Sequence, residues 1–364
     1  MASTDSVLHD QLVVCACGAQ EYKARDAIQA ALFRGELDSV WAQFLSRVAS
    51  EKRAEELALE LDDDALDSAA EAFRYQHDLI TAEETEQWLA ERALSLEEFS
   101  DYFARQYWPS AFEEKVEVEK VDFVSASPEL RELFTGDMII SGELDRMTTE
   151  LAWRLAALAA TPKENVDCQM IEVERRNFFD RSKIEPSGLN DWLNRLGRDS
   201  EWLEQMLMME AAYQRGRETL LNPQARKNEL AILRLALTRF EAKVIELESR
   251  DAAQEALFCI REDGMSMEEV ASEGRYPYRQ ISFLQEDIPT DLRQRFLSVG
   301  PGDVLEPIGR GDGFELLQVI EKIEPQADDP AVQARIDQRL LERHFFDLAG
   351  KYVEPRLSAV ASDQ

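Results

Sequence analysis

Positive charge is scarce in this chain. Against 73 Asp and Glu stand 41 Lys and Arg over 364 residues, a formal charge of −32. That excludes nucleic acid as a direct partner, because phosphate contacts need clustered Lys and Arg. The acidity reads either as a solvated, self-repelling surface or as attraction to a basic peptide or partner. Long apolar runs are missing too. No stretch approaches the roughly 18 residues of a membrane helix. The opening residues, from Met1 to Asp10, show no cationic segment followed by an apolar run, so no signal peptide is expected. The sequence predicts no membrane insertion and a cytoplasmic location. Four cysteines do not suggest a disulfide framework. Cys15 and Cys17 have no further Cys or His clustered nearby, and Cys168 and Cys259 sit among apolar neighbours as core residues do. No Gly-rich phosphate loop follows a strand, no zinc spacing occurs, and no nucleophile sits in an elbow-like setting. Triads that assemble in space stay open. No cofactor and no metal are expected.

What is present is a folding sequence. Apolar residues make up 45% and charged residues 31%. The length allows two or three domains, or one elongated one. From about Asp26 to Trp108 apolar residues recur at spacings of three and four, as in helices. Asp62-Asp63-Asp64 marks a helix boundary or exposed turn. Thr81 with Glu84, and Ser95 with Glu98, have the spacing of capping boxes. Residues 113–124 alternate (Val116, Val118, Val121, Phe123) and predict a short strand. Leu130 to Leu158 returns to helix, 161–165 reads as a linker, and Met170 to Val173 reads as another short strand. Trp88-Leu89, Phe99 and Phe103 are echoed by Trp192-Leu193, Leu203 and Leu207 at the same offsets. Duplicated helix–turn–helix units or chance likeness of amphipathic helices both produce this. Asn222 is placed to cap a helix opened by Pro223.

Beyond residue 237 the pattern changes. Phe240 to Leu247 reads as a strand, Ala252 to Ile260 as a helix ended by Gly264, and Val304–Ile308 and Phe314–Ile323 as strands around a tight turn at 309–313. A last helix follows Pro330, with Val332, Ile336, Leu340 and Leu348 inward, and the tail after Pro355 reads as loose. The expected segments are residues 1–162, 163–236, 237–326 and 327–364.

Ser266-Met267-Glu268-Glu269-Val270-Ala271 resembles a helix end found in parvulin-type peptidyl-prolyl isomerases. Asp287-Ile288-Pro289 to Phe296, then Gly302-Asp303-Val304-Leu305-Glu306-Pro307-Ile308, then Gly313-Phe314-Glu315-Leu316-Leu317, follow the parvulin order. The arrangement of long helical region, parvulin-like core and closing helix resembles the SurA/PpiC-type chaperone-isomerases, some relatives of which are linked with peptide maturation. The resemblance implies an α+β, mostly helical fold: a long N-terminal helical chaperone-like region, a small antiparallel parvulin-like sheet and a C-terminal helix. It also implies an apolar groove that grips a proline, with Phe283, Ile288, Leu292, Phe296, Phe314 and Glu315 as the expected peptide-binding residues. Ordinary core packing is the competing reading of the same residues.

The catalytic pattern is not kept. The family's signature histidine falls on Glu315, the strand from Arg239 to Val244 has no histidine, and the loop that carries the family's Cys or Asp is shortened to 273–279. A Glu315–Lys243 pair could bridge two strands instead. The expected function is a cytoplasmic chaperone-like protein that binds a peptide or unfolded client, basic or proline-containing, in precursor-peptide maturation. An active isomerase with a relaxed site, and a scaffold for a partner enzyme or transporter, are the alternatives. Trp88, Phe99, Tyr102, Phe103, Tyr107 and Trp108 would supply a client patch or, as the bland reading has it, the helical core.

Overall fold

The computed structural model describes residues 9–112, 116–162, 168–311 and 313–357. The chain forms two compact units, Met1–Arg217 with Arg343–Gln364, and Glu218–Glu342. This division differs from the four expected segments. Residues 163–217 fall in the same unit as the first 162, and the last helix starts in one unit and ends in the other.

The first unit opens with an unforeseen hairpin, β1 (Val13–Cys17) and β2 (Gln20–Lys23). Helices follow: α1 (Ala24–Phe33), α2 (Asp38–Glu56), α3 (Asp63–Gln76), α4 (Ala82–Glu91), α5 (Leu96–Tyr107), α6 (Pro128–Ile140), α7 (Glu143–Ala160), α8 (Cys168–Ser182), α9 (Leu189–Arg195) and α10 (Ser200–Leu220). Local chemistry sets their starts. Asp62 caps α3, and the Thr81–Glu84 and Ser95–Glu98 boxes open α4 and α5 with both reciprocal bonds made. The single helix expected over 130–158 is split by Gly142, whose φ of +75° suits glycine. Trp41 meets Phe123 and Phe134 edge-on at 5.3 and 5.1 Å, and Phe44 meets Phe134 at 5.2 Å. Trp88, Phe99, Phe103 and Trp108 are buried, so these four follow the core reading, with Tyr102 and Tyr107 half-buried.

Two strand expectations are corrected. Met170–Val173 lies inside α8; its run of apolar residues is too short to separate a strand from a helix turn. Residues 116–124 hold no strand. Val116 and Val118 are half-buried between exposed Glu117 and Glu119, but among the described residues no strand lies alongside to complete a ladder. Most of the expected 161–165 linker, and the tail from 358, lie outside the described residues.

The second unit carries α11 (Pro223–Leu233), capped by Asn222 as expected, then β3 (Arg239–Leu247), α12 (Arg250–Arg261), α13 (Met267–Gly274), β4 (Tyr278–Leu284), α14 (Thr290–Ser298), β5 (Ile308–Arg310), β6 (Gly313–Ile323) and the first part of α15 (Pro330–Tyr352). The sheet is antiparallel in the order β4-β3-β6-β5. The strand expected at 304–308 starts later; Val304 makes only an isolated bridge to Gln318. Strand β3 sends alternate residues to the two faces. Ile245 and Leu247 pack with α12 and α13, and Phe240, Ala242 and Val244 pack on the other face beneath α14. Val332, Ile336 and Leu340 of α15 join Leu233 and Leu237 in a separate cluster. The end of the chain returns to the first unit as β7 (Val353–Pro355), which completes the order β2-β1-β7. The fold class is the expected α+β, mostly helical one. No helix among the described residues is long and apolar enough to cross a membrane.

Candidate functional site

The sequence pointed to the sheet face beneath α14. Phe283 on β4, Ile288 before α14, and Leu292 and Phe296 on α14 do come together there, around Phe240. Phe283 stacks on Phe240 at 5.7 Å, and Phe296 stands edge-on to both at 5.6 Å. Ile288 and Phe296 are 4% and 3% exposed. The rings fill the space between sheet and helix, and truncating one to alanine costs about 3–5 kcal/mol as in any core. Phe314 is not part of this group. It lies on the opposite face with Ile245 and Leu247, because Phe314 and Leu317 are an odd number of residues apart on one strand.

Glu315 shares the face of Leu317, at the end of the sheet away from the phenylalanines. It stands directly across from Glu246 of β3, and two like charges so placed repel. Two arginines resolve this. Arg279 of β4 donates Nη2–H to Glu315 Oε1 at 2.8 Å and Nε–H to Glu246 Oε1 at 3.0 Å. Arg310 of β5 donates Nη1–H to Glu315 Oε1 at 2.9 Å. The four charges thus run across all four strands, and Glu315 is buried among them at 8% exposure. The expected Glu315–Lys243 bridge does not form. Lys243 faces Gln318 in register and points to the opposite face, where it meets Glu268 at 2.7 Å. Bonds from Lys243 and Tyr278 hold the Glu268 carboxyl down to about 2. Arg279 and Arg310 were missed in the sequence, since nothing local marks an arginine as the partner of a residue 36 or 5 positions away.

The second unit contains no histidine; His9, His77 and His344 all belong to the first. Its one cysteine, Cys259, is on α12. Among the described residues no three His, Cys, Asp or Glu side chains gather as a metal site. The sheet face therefore offers apolar packing and fixed charge pairs, with no imidazole or thiol on it.

A second feature was not foreseen. In the first unit the extended stretch from Val116 lies along α2 and leaves an open trough of about 640 Å³ between Leu45, Val48, Leu57, Phe112, Val118 and Leu130. A further hollow of about 830 Å³ adjoins it through Leu45 and Val121. Trp41 Nε1–H donates to Val121 O at 2.7 Å and pins the stretch where the two meet. The rim carries Lys52, Arg53, Glu56, Glu117 and Glu119. Apolar walls with a polar rim are what a shallow peptide site requires. The signal for it was the Val-Glu-Val-Glu alternation, which the sequence reading spent on a strand.

No family model and no curated protein matches this chain. Solved structures do. A peptidylprolyl isomerase, PrsA, from Bacillus cereus is 10% identical, with 63% of this chain and 88% of that chain covered and a TM-score of 0.38. The foldase protein PrsA from Streptococcus pneumoniae is 15% identical, with 68% and 95% covered and a TM-score of 0.28. A SurA-like chaperone structure from Campylobacter jejuni is 8% identical, with 60% and 88% covered and a TM-score of 0.20. The solved structures to which the chain is similar are thus PrsA and SurA-like proteins, at 8–15% identity.

Proposed function

We propose that this protein is a peptide-holding chaperone that does not catalyse prolyl isomerisation. The observation that carries the reading is the apolar trough along α2, wide enough for several side chains and open to solvent. An unfolded segment would lay apolar residues against Leu45, Val118 and Leu130 and leave its polar groups at the charged rim. The sheet unit supports the second half of the reading. Twisting an X–Pro bond against its ~18–20 kcal/mol barrier calls for groups poised on the substrate, and the polar side chains at the position of the family's histidine are locked in the Glu246–Arg279–Glu315–Arg310 chain. The acidic surface favours basic clients over acidic ones. A reducing compartment such as the cytoplasm belongs to the proposal, supported by four cysteines that stand as free thiols, as does service to peptide maturation.

Suppression of aggregation of a chemically unfolded reporter protein tests the reading, with Val118→Asp as the variant. The wild-type protein is expected to suppress aggregation near stoichiometric ratio. The variant, which loses the burial of about one valine at ~1.5 kcal/mol, is expected to need roughly tenfold more protein. Wild-type protein without effect overturns the holding function. A variant as effective as wild type removes the client from the trough.

A further inference from the structure

Two hydrogen bonds fix the phase of the β3–β4 ladder. Glu246 N–H donates to Pro277 O at 3.0 Å, and Gln285 N–H donates to Thr238 O at 2.9 Å. The strands are antiparallel, with Arg239 opposite Leu284 and Ile245 opposite Tyr278. Hydrogen-bonded and non-bonded pairs alternate along such a ladder. Counting by twos inward from either bond gives the same answer. Arg279, Ile281 and Phe283 turn their N–H and C=O groups to β3, whereas Tyr278, Gln280, Ser282 and Leu284 turn theirs outward. Strand β4 ends the sheet. Asp287 Oδ2 accepts the Leu284 N–H at 3.3 Å. Among the described residues no strand lies beyond β4, and the backbone of Tyr278, Gln280 and Ser282 is left as a row of outward donors and acceptors.

Edges of this kind are usually blunted by shortness, proline, lysine or a bulge. The other edge of the sheet, β5, is three residues long. Strand β4 has seven, without Pro or Lys, and its register with β3 runs unbroken. Its one charged residue, Arg279, is drawn over the sheet face to Glu246 and Glu315. The edge is also two-sided. Half-buried Ile281 and Phe283 lie on the apolar face. Exposed Gln280 and Ser282 lie on the other, where Glu241 accepts from Ser282 Oγ at 2.9 Å and Glu268 accepts from the Tyr278 hydroxyl at 2.8 Å.

We propose that the β4 edge binds an extended client segment by strand addition. Apolar residues of the segment would flank Ile281 and Phe283, and uncharged polar or basic residues would flank Gln280 and Ser282. The occupant, though not the edge, rests on the client-holding function proposed above. A second copy of this chain is the weaker candidate, since each copy brings a formal charge of −32 and the two repel.

A fluorescein-labelled octapeptide of alternating valine and serine, titrated into the full chain by anisotropy, is the probe. Methylating the backbone nitrogens of one alternate set should abolish binding while the other set is spared. Residues directly opposite Gln280 and Ser282 share their face, so the serine set is the sensitive one for antiparallel addition and the valine set for parallel addition. Gln280→Pro removes one outward donor without touching the β3 ladder and should weaken binding about fivefold to tenfold. Hydrogen exchange at Gln280 and Ser282 should slow when peptide is added. Equal binding by all peptides overturns the proposal and leaves client holding elsewhere intact. No binding by any peptide overturns it, and failure to suppress reporter aggregation as well would take the proposed function with it. Slow exchange at β4 that grows with protein concentration in the absence of peptide overturns the choice of occupant in favour of a second copy. The methylated peptides decide the question even if the proline variant fails to fold.

Discussion

Glu51 of α2 lies beside the buried pair formed by Arg105 of α5 and Asp137 of α6. Arg105 Nη2 and Asp137 Oδ1 are 2.7 Å apart, and Arg105 Nη1 is 3.9 Å from Glu51 Oε1. One guanidinium is too little for two carboxylates. Burial pushes the Glu51 carboxyl up to about 7 from 4.5; Arg105 opposes this, while Asp101, Glu55 and Asp137 add to it. Folded Glu51 therefore holds a proton that the unfolded chain releases at lower pH. Its stabilising contribution is complete below about 4.5 and is lost as pH rises through about 7. Thermal unfolding followed by circular dichroism should show a lower midpoint at pH 8 than at pH 6. Glu51→Gln should flatten that slope and raise the midpoint at pH 8. A slope unchanged by the substitution would assign it to other groups.

At the scale of the element, the echo between the two Trp-Leu segments has a structural counterpart. Helix α4 ends with Leu94 N–H bonded to Leu89 O at 2.9 Å, and α9 ends with Arg198 N–H bonded to Leu193 O at 2.9 Å. Ser95 Oγ then accepts from Glu98 N–H, and Asp199 Oδ1 from Trp202 N–H. Both turns carry a left-handed residue at the same place, Ala93 at φ +56° and Gly197 at φ +66°. The two turns should answer substitution with opposite signs. Gly197→Ala places a Cβ in open space but in the disfavoured region, and should destabilise by about 1 kcal/mol; Ala93→Gly should stabilise by a few tenths to about 1 kcal/mol. Denaturant midpoints check both, and equal signs would refute the shared geometry.

Elements of this kind were the legible part of the sequence. The capping boxes at Thr81 and Ser95, the cap at Asn222 and the strands around Phe240 and Phe314 are set by residues within four positions of one another. What local pattern could not give was the partner. The valines at 116 and 118 alternate with glutamates as in a strand, but the extended chain rests on α2 and, among the described residues, no strand pairs with it. The hairpin from Val13 and its pairing with Val353–Pro355 join residues over 330 positions apart. At the site, Phe283, Ile288, Leu292 and Phe296 lie together around one helix. Phe314 and the Lys243 bridge were misplaced because strand parity, which sets the face, depends on a register invisible in one sequence.

For the whole molecule, charge and histidine content set the terms. A chain with a formal charge of −32 repels its own copies and acidic chains, and salt should weaken the proposed binding of basic clients. The sheet unit, without a histidine, keeps its rings as core and its Glu315 tied to two arginines. Exchange spectroscopy by NMR on a short X–Pro peptide, with and without substoichiometric protein, reads binding and isomerisation at once. Binding without catalysis predicts broadened peptide resonances with cis–trans exchange as slow as in buffer, tens to hundreds of seconds. Cis–trans exchange faster than in buffer, or resonances as sharp as those of free peptide, would contradict it.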